Sequence, residues 1–274
     1  RKTRRLSKPR CDFSAAMKID VKTKAQIDRM REACRLTAEI RDICAAAVMP
    51  GVTTGEIDDL VVDFCAKRKV KASFYGYEGF PGHLCVSVND EVIHGIPGSR
   101  KIREGDIVKI DVGAHYMGYH GDCAATFAAG AISEEAQKLI EVTRQSFYEG
   151  IKYAREGYRI SDISRAIDEY TVKNGFYQVR DYVGHGIGRA LHEEPEVPNF
   201  QAPNRVGRGP RLVAGMTIAI EPMVNVGTYE VKCLSDGWTV KTVDGSLSSH
   251  YENTVLITKD EPVILTADKD GKHV

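Results

Sequence analysis

The 274-residue chain is 42% hydrophobic and 28% charged, an ordinary globular composition with enough length to bury a sizeable core. Its 38 Lys+Arg balance 38 Asp+Glu, and no apolar run approaches the ~20 residues that span a bilayer. A global field for nucleic acid or a membrane is thereby excluded, and seven scattered cysteines without a C-x-x-C pair exclude a disulfide framework and suit a reducing cytosol.

Residues 1–16 carry six basic residues against one acid and show no periodicity. They read as a flexible extension, either a solvated tail or a contact with ribosomal RNA. Over residues 23–49 apolar or small side chains recur at helical spacing (Ile27, Met30, Cys34, Thr37, Ile40, Cys44), and Pro50-Gly51 stops that helix. Thr53 with Glu56 reads as a capping box, opening a helix whose apolar face is Ile57, Leu60, Val61, Phe64 and Cys65. Strand-like residues 85–88 and 91–94 flank Asn89-Asp90, which predicts a two-residue hairpin with Cys85 opposite His94. Residues 107–113 and 119–127 read as a second hairpin. A centre between Tyr116 and Met117 would make Asp111 and Asp122 direct cross-strand neighbours, with Cβ atoms ~4.5–5.5 Å apart.

The same order then recurs. Residues 156–170 lie on 50–64 without gaps, placing Gly157 on Gly51, Ile163 on Ile57, Ile167 on Val61 and Tyr170 on Phe64. His94-Gly-Ile is echoed by His185-Gly-Ile, and residues 103–113 by 213–223, so that Asp111 falls on Glu221. Asp122 and Glu252 each lie in the strand that follows. This predicts a duplicated α+β unit with a cleft between its halves.

Four acids in repeat-related strands, without recurring basic partners, call for cations between them. Glu221 ends an apolar strand in which Met216, Ile218 and Ile220 point one way and Thr217 and Ala219 the other. His185 adds an imidazole, flanked by glycines that let backbone approach closely; the run lacks the G-x-G-x-x-G spacing of a nucleotide site. Four carboxylates and one imidazole suit Mn, Fe, Co or Zn, and their four negative charges balance two divalent ions. Such a pair, ~3.5–4 Å apart with a water-derived hydroxide between, is the centre of a two-metal hydrolase.

The stretches HGIP (94–97), GDIVKIDVG (105–113), GYHGD (118–122), GHGIGRALHEEP (184–195), IEPM (220–223), DGWTVKT (236–242) and SHYENT (249–254) go further. From about Met17 to the C-terminus the chain resembles the type I methionine aminopeptidases. The resemblance implies the α+β pita-bread fold: two pseudo-two-fold related halves, about 17–130 and 131–274, with a central antiparallel sheet and helices on the outer face. It implies a single catalytic domain over 17–274. It also implies removal of the initiator methionine from nascent polypeptides by two-metal hydroxide attack. The charge of the basic tail adds the ribosome as a partner, and hydropathy and motif spacing point to no membrane and no nucleotide cofactor.

By the same resemblance Asp111 binds one metal, Asp122 and Glu252 bridge, and His185 with Glu221 complete the second site. His94 and His192 contact the scissile amide and its carbonyl, and Glu221 carries the proton. Tyr77, Phe80, Cys85, Leu191 and Trp238 form the methionine pocket, where Leu191 departs from the aromatic usual before that histidine. Prolidases and proline-specific aminopeptidases, the rivals in fold, usually carry a large N-terminal domain. Type II enzymes carry an insertion that the 31 residues from Glu221 to Glu252 leave no room for. A binding protein that lost catalysis would be expected to lose ligands, and all five are present.

Overall fold

The structure, a computed structural model, describes residues 19–201 and 209–267. The segment 1–16 and the expectations attached to it lie outside them. The helices among the described residues are α1 (Lys24–Ala46), α2 (Thr54–Arg68), α3 (Glu134–Ile151) and α4 (Ile160–Lys173). The first strands are β1 (Lys71–Ala72), β2 (Cys85–Val88), β3 (Glu91–Ile93), β4 (Ile107–Tyr116), β5 (Tyr119–Ala128), β6 (Tyr177–Gln178), β7 (Gly184–Gly186) and β8 (Glu193–Val197). They are followed by β9 (Thr217–Ile220), β10 (Met223–Asn225), β11 (Val231–Cys233), β12 (Val240–Thr242), β13 (Ser248–His250), β14 (Glu252–Leu256) and β15 (Val263–Ile264).

Local chemistry explains the helix boundaries. Thr53 Oγ1 accepts the Glu56 N–H at 3.1 Å and the Glu56 carboxylate accepts the Thr53 N–H at 2.7 Å, so two end donors of α2 are satisfied. In α1 the buried side chains Met30, Cys34, Thr37, Arg41 and Cys44 follow the helical period.

The main sheet runs β1–β4–β5–β14–β9–β7–β8, with β2 also on β4 and β15 on β14, and its pairs are antiparallel. Period-two alternation divides its faces. Ile110 and Val112 of β4 pack with Ile40 of α1 and Ile57 and Val61 of α2. Ile218 and Ile220 of β9 and Val255 of β14 pack with Phe147 of α3 and Ile163 and Ile167 of α4. Helices cover that face, so the intervening Asp111, Glu252 and Thr254 point away from them.

The internal repeat is written in the backbone. Gly51 and Gly157 adopt φ of 97° and 95°, and each precedes a helix, α2 and α4. The bridge Thr53–Lys101 corresponds to Arg159–Arg211, and Gly51 N–H to Ile102 O corresponds to Gly157 N–H to Leu212 O. Gly105 and Gly215, with φ of 88° and 99°, each stand two residues before a sheet strand, β4 and β9.

Both hairpin expectations need correction in register. β2 and β3 diverge: β2 joins β4, which sets Cys85 opposite Asp111, while β3 pairs with β12. On its other edge β2 meets the chain just beyond β3, where the Val86 N–H donates to the Gly95 carbonyl at 2.9 Å, so Cys85 does not face His94. The second hairpin turns at Met117-Gly118, with φ of 52° and 79°, as a two-residue hairpin turn with both central residues left-handed requires. Tyr116 therefore pairs with Tyr119, Asp111 with Ala124 and Gly113 with Asp122. The two aspartates are diagonal rather than direct neighbours, on one face of the ladder.

Candidate active site

Strand register assembles the acids. Ala124 of β5 is the partner of Asp111 on one side and of Glu252 on the other, so a single methyl group separates the two carboxylates. Ala219 of β9 similarly lies between Thr254 and His185. Small side chains on the sheet floor leave room above it for the long ones. Thr254 Oγ1 accepts the Asp122 N–H at 3.0 Å and donates to the Asp122 carbonyl at 2.9 Å, which ties β14 to β5 at the ligand row. Glu221 follows β9 directly, its carbonyl accepting from the buried Asn199 amide at 2.9 Å.

Asp111, Asp122, His185, Glu221 and Glu252 line one cavity of about 400 Å³ together with His94, His192, Tyr77, Phe80, Cys85, Leu191 and Trp238. Every residue singled out in the sequence is thus brought to a single place, together with Phe74 and Glu78. Phe80 meets Trp238 edge-on at 5.1 Å between ring centroids, forming one apolar wall. Tyr77 Oη lies 2.7 Å from His192 Nδ1, which leaves Nε2 for a substrate. His94 holds φ of 58°, an uncommon setting for a non-glycine residue, and packs edge-on against Tyr182 at 5.8 Å.

The electrostatics are those of an acid cluster taken out of water. Burial pushes the Asp111 carboxyl up to about 7. Burial, reinforced by Asp111 and Glu221, holds Asp122 well above the usual carboxylate range. Burial with neighbouring acids does the same to Glu221 and Glu252. It also pushes His185 down to about 3 and His94 and His192 to about 4, so these imidazoles are neutral near pH 7. Asp111 Oδ1, Asp122 Oδ1 and Glu252 Oε1 are buried with no hydrogen-bond partner. Among the described residues only histidines come within ion-pair distance of these acids: His185 Nε2 lies 3.5 Å from Glu221 and 3.9 Å from Asp122. Oxygen donors aimed inward without cationic side chains fit divalent metal ions. The triads Asp122–His185–Glu252 and Asp111–His250–Glu252 each gather their donor atoms within 4.8 Å.

Two features were not read from the sequence. The glycines beside His185 serve strand packing rather than the approach of a bound group. A Cβ on Gly186 would lie 2.6 Å from the Glu194 carbonyl carbon, and one on Gly184 would lie 3.1 Å from Val197 Cβ. His250, within the SHYENT stretch, is the other: its Nε2 sits 3.7 Å from Glu252 and 3.9 Å from Glu221. A period-two reading backward from Glu252 would have found it, since residues two apart in extended chain share a face.

Comparison with known proteins agrees with this geometry. Residues 28–259 match the model of metallopeptidase family M24. The chain is 53% identical over 251 residues to a methionine aminopeptidase of Clostridium perfringens, covering 92% of this chain and 100% of that one. It is 48% identical to methionine aminopeptidase 1 of Bacillus subtilis, covering 90% and 99%. The crystal structure of methionine aminopeptidase from Thermotoga maritima superposes with a TM-score of 0.87 at 43% identity, covering 91% of this chain and 99% of that one. Prolidase from Pyrococcus furiosus, at 21% identity and a TM-score of 0.72, shares the fold alone, and this chain spans 66% of its length. The α+β architecture is accordingly the pita-bread fold, and the chain belongs to metallopeptidase family M24, within it to the methionine aminopeptidases.

Proposed function

We propose that this chain removes the N-terminal methionine from polypeptides by hydrolysing the first peptide bond, with two divalent cations held by Asp111, Asp122, His185, Glu221 and Glu252. The observation that carries the reading is the single cavity in which five buried donors, two neutral histidines and an apolar wall converge. Four carboxylates would balance two doubly charged ions, and by the resemblance to the methionine aminopeptidases Asp122 and Glu252 would be the residues held in common. Bound there, the cations supply Lewis-acid polarisation and an activated water; Co, Mn, Fe and Zn all suit the donor set.

The chain's own residues divide the remaining work. Tyr77, Phe80, Cys85, Leu191 and Trp238 surround the methionine side chain, whose flexible thioether fills an apolar space without leaving polar groups unpaired. His94 contacts the scissile amide. His192, neutral and oriented through Nδ1 by Tyr77, offers Nε2–H to the carbonyl oxygen as negative charge develops on it. Glu221 accepts the proton of the attacking water and delivers it to the leaving nitrogen.

Nascent chains are the natural substrates of such an activity. We read residues 17–274 as the catalytic domain and the basic segment 1–16 as a solvated extension, with a salt-sensitive ribosome contact as the alternative. Among the described residues no helix is long and apolar enough to cross a membrane. Free cysteines, four of the six described being buried at Cys34, Cys44, Cys85 and Cys123, support work in the cytoplasm.

The deciding experiment strips the protein of metal and measures release of the first residue from Met-Ala-Ser, Leu-Ala-Ser and Ala-Pro-Ala peptides, before and after adding Mn(II) or Co(II). Metal-restored release of methionine, with little leucine and no alanine, is expected. Cleavage before proline would move the activity to the proline-specific branch, and no release with any metal would refute the reading.

A further inference from the structure

His250 ends β13, two residues before Glu252, and is 2% exposed. Both ring nitrogens are buried without a hydrogen-bond partner. Its backbone is fixed independently: the N–H donates to Thr126 Oγ1 at 3.0 Å, and the carbonyl accepts from the same hydroxyl at 2.9 Å. The imidazole is therefore held in place by neighbours that leave its nitrogens unused. Nε2 is aimed between two carboxylates, 3.7 Å from Glu252 Oε2 and 3.9 Å from Glu221 Oε2. The oxygen of Glu221 closest to His185 is the other one, Oε1, at 3.5 Å. A buried, unpaired N–H is costly, and an approach of about 0.7 Å by the Glu252 oxygen would make an ordinary hydrogen bond.

We propose that His250 is a positioning residue of the metal centre, donating Nε2–H to the outer oxygens of Glu252 and Glu221 and so aiming their other oxygens at the cations. The inference rests on the metal-site reading above and adds a residue to it. A carboxylate ligand whose free oxygen accepts a hydrogen bond is fixed in rotation before the ion arrives, and such outer partners typically contribute about 10–100-fold in metal affinity.

The test compares Mn(II) uptake by metal-stripped wild type, His250→Gln and His250→Leu, followed by the EPR signal of free Mn(II). Each protein's thermal midpoint is recorded without metal. His250→Leu is expected to weaken uptake about 10–100-fold at an unchanged metal-free midpoint, while His250→Gln, which keeps an N–H donor, retains most of the affinity. Unchanged affinity in His250→Leu, or an equal loss in both variants, would overturn the proposal. Should the leucine variant fail to fold, pulsed EPR of Mn(II)-loaded wild type decides. Nitrogen coupling from one directly bound imidazole, that of His185, supports the positioning role, and coupling from two would make His250 a ligand and overturn it. Wild type that takes up no Mn(II) would instead refute the metal centre itself, and the inference with it.

Discussion

Gly186→Ala tests whether His185 is aimed by the fit of β7 against β8. An added Cβ would lie 2.6 Å from the Glu194 carbonyl carbon and 2.9 Å from the Glu193 oxygen. Carbon atoms in contact prefer roughly 3.5–4.0 Å, so β7 and β8 must part by about 1 Å, with Gly186 displaced. The obstacles are backbone atoms and cannot rotate aside. Because Gly186 O also accepts from His185 Nδ1 at 2.8 Å, with that nitrogen protonated, the shift carries the imidazole with it. Overpacking of this kind costs about 1–3 kcal/mol. At about 2–4 °C per kcal/mol for a chain of this size, the thermal midpoint falls by roughly 2–12 °C. A displacement of about 1 Å at a reacting centre lowers turnover about a hundredfold. Methionine release and Mn(II) affinity should fall together in Gly186→Ala. Gly98→Ala, whose Cβ meets nothing within 4 Å, should match wild type. A Gly186→Ala protein with wild-type midpoint and turnover would show that β8 yields freely, and the packing account of these glycines would be wrong.

Asp122→Asn should lower metal-dependent turnover more than about a hundredfold, beyond what loss of a mere outer partner gives. Its metal-free midpoint should stay or rise, because a buried carboxyl repelled by Asp111 and Glu221 is gone; retained activity would remove Asp122 from the ligand set. His192→Ala should cost about 10²–10³ in kcat with a smaller change in KM, and a pure KM effect would leave His192 with binding alone. Tyr77→Phe removes one hydrogen bond worth ~1 kcal/mol, so kcat should fall about fivefold while the preference for methionine over leucine persists. Mn(II) binding should tighten as pH rises from 6 to 8: with the Asp111 carboxyl raised to about 7, the ion must displace a proton at the lower pH. Below that value the affinity should change about tenfold per pH unit for each proton displaced, and pH-independent binding measured by calorimetry would contradict the raised carboxyls.

The chemistry of the site was largely legible in the chain. Helix caps are local, so Thr53 and Glu56 announced α2 without help from the rest of the fold. Alternation is local too, and it put Glu221 on the face opposite Ile218 and Ile220 before any neighbour was known. The echo of Asp111 in Glu221 followed from the same periodicity applied to a duplicated segment.

Register was another matter, because it depends on which strand wins a partner and where a turn can tolerate positive φ. Symmetry of sequence placed the β4–β5 turn one residue too early, whereas Met117-Gly118 take the left-handed turn positions and move Asp122 from opposite Asp111 to the diagonal. The pairing of β2 with β4 could not be read from residues 85–94 alone, since β4 lies beyond them. His250 shows the same limit. Its spacing from Glu252 was visible, but its burial between two acids with both nitrogens unused arises only when β13, β14 and the end of β9 are brought together. Sequence determined which groups the protein possesses and which face of its own strand each occupies, because those follow from short-range sterics. Tertiary structure decided which of them meet, because contact across strands is set by long-range pairing that no local pattern encodes.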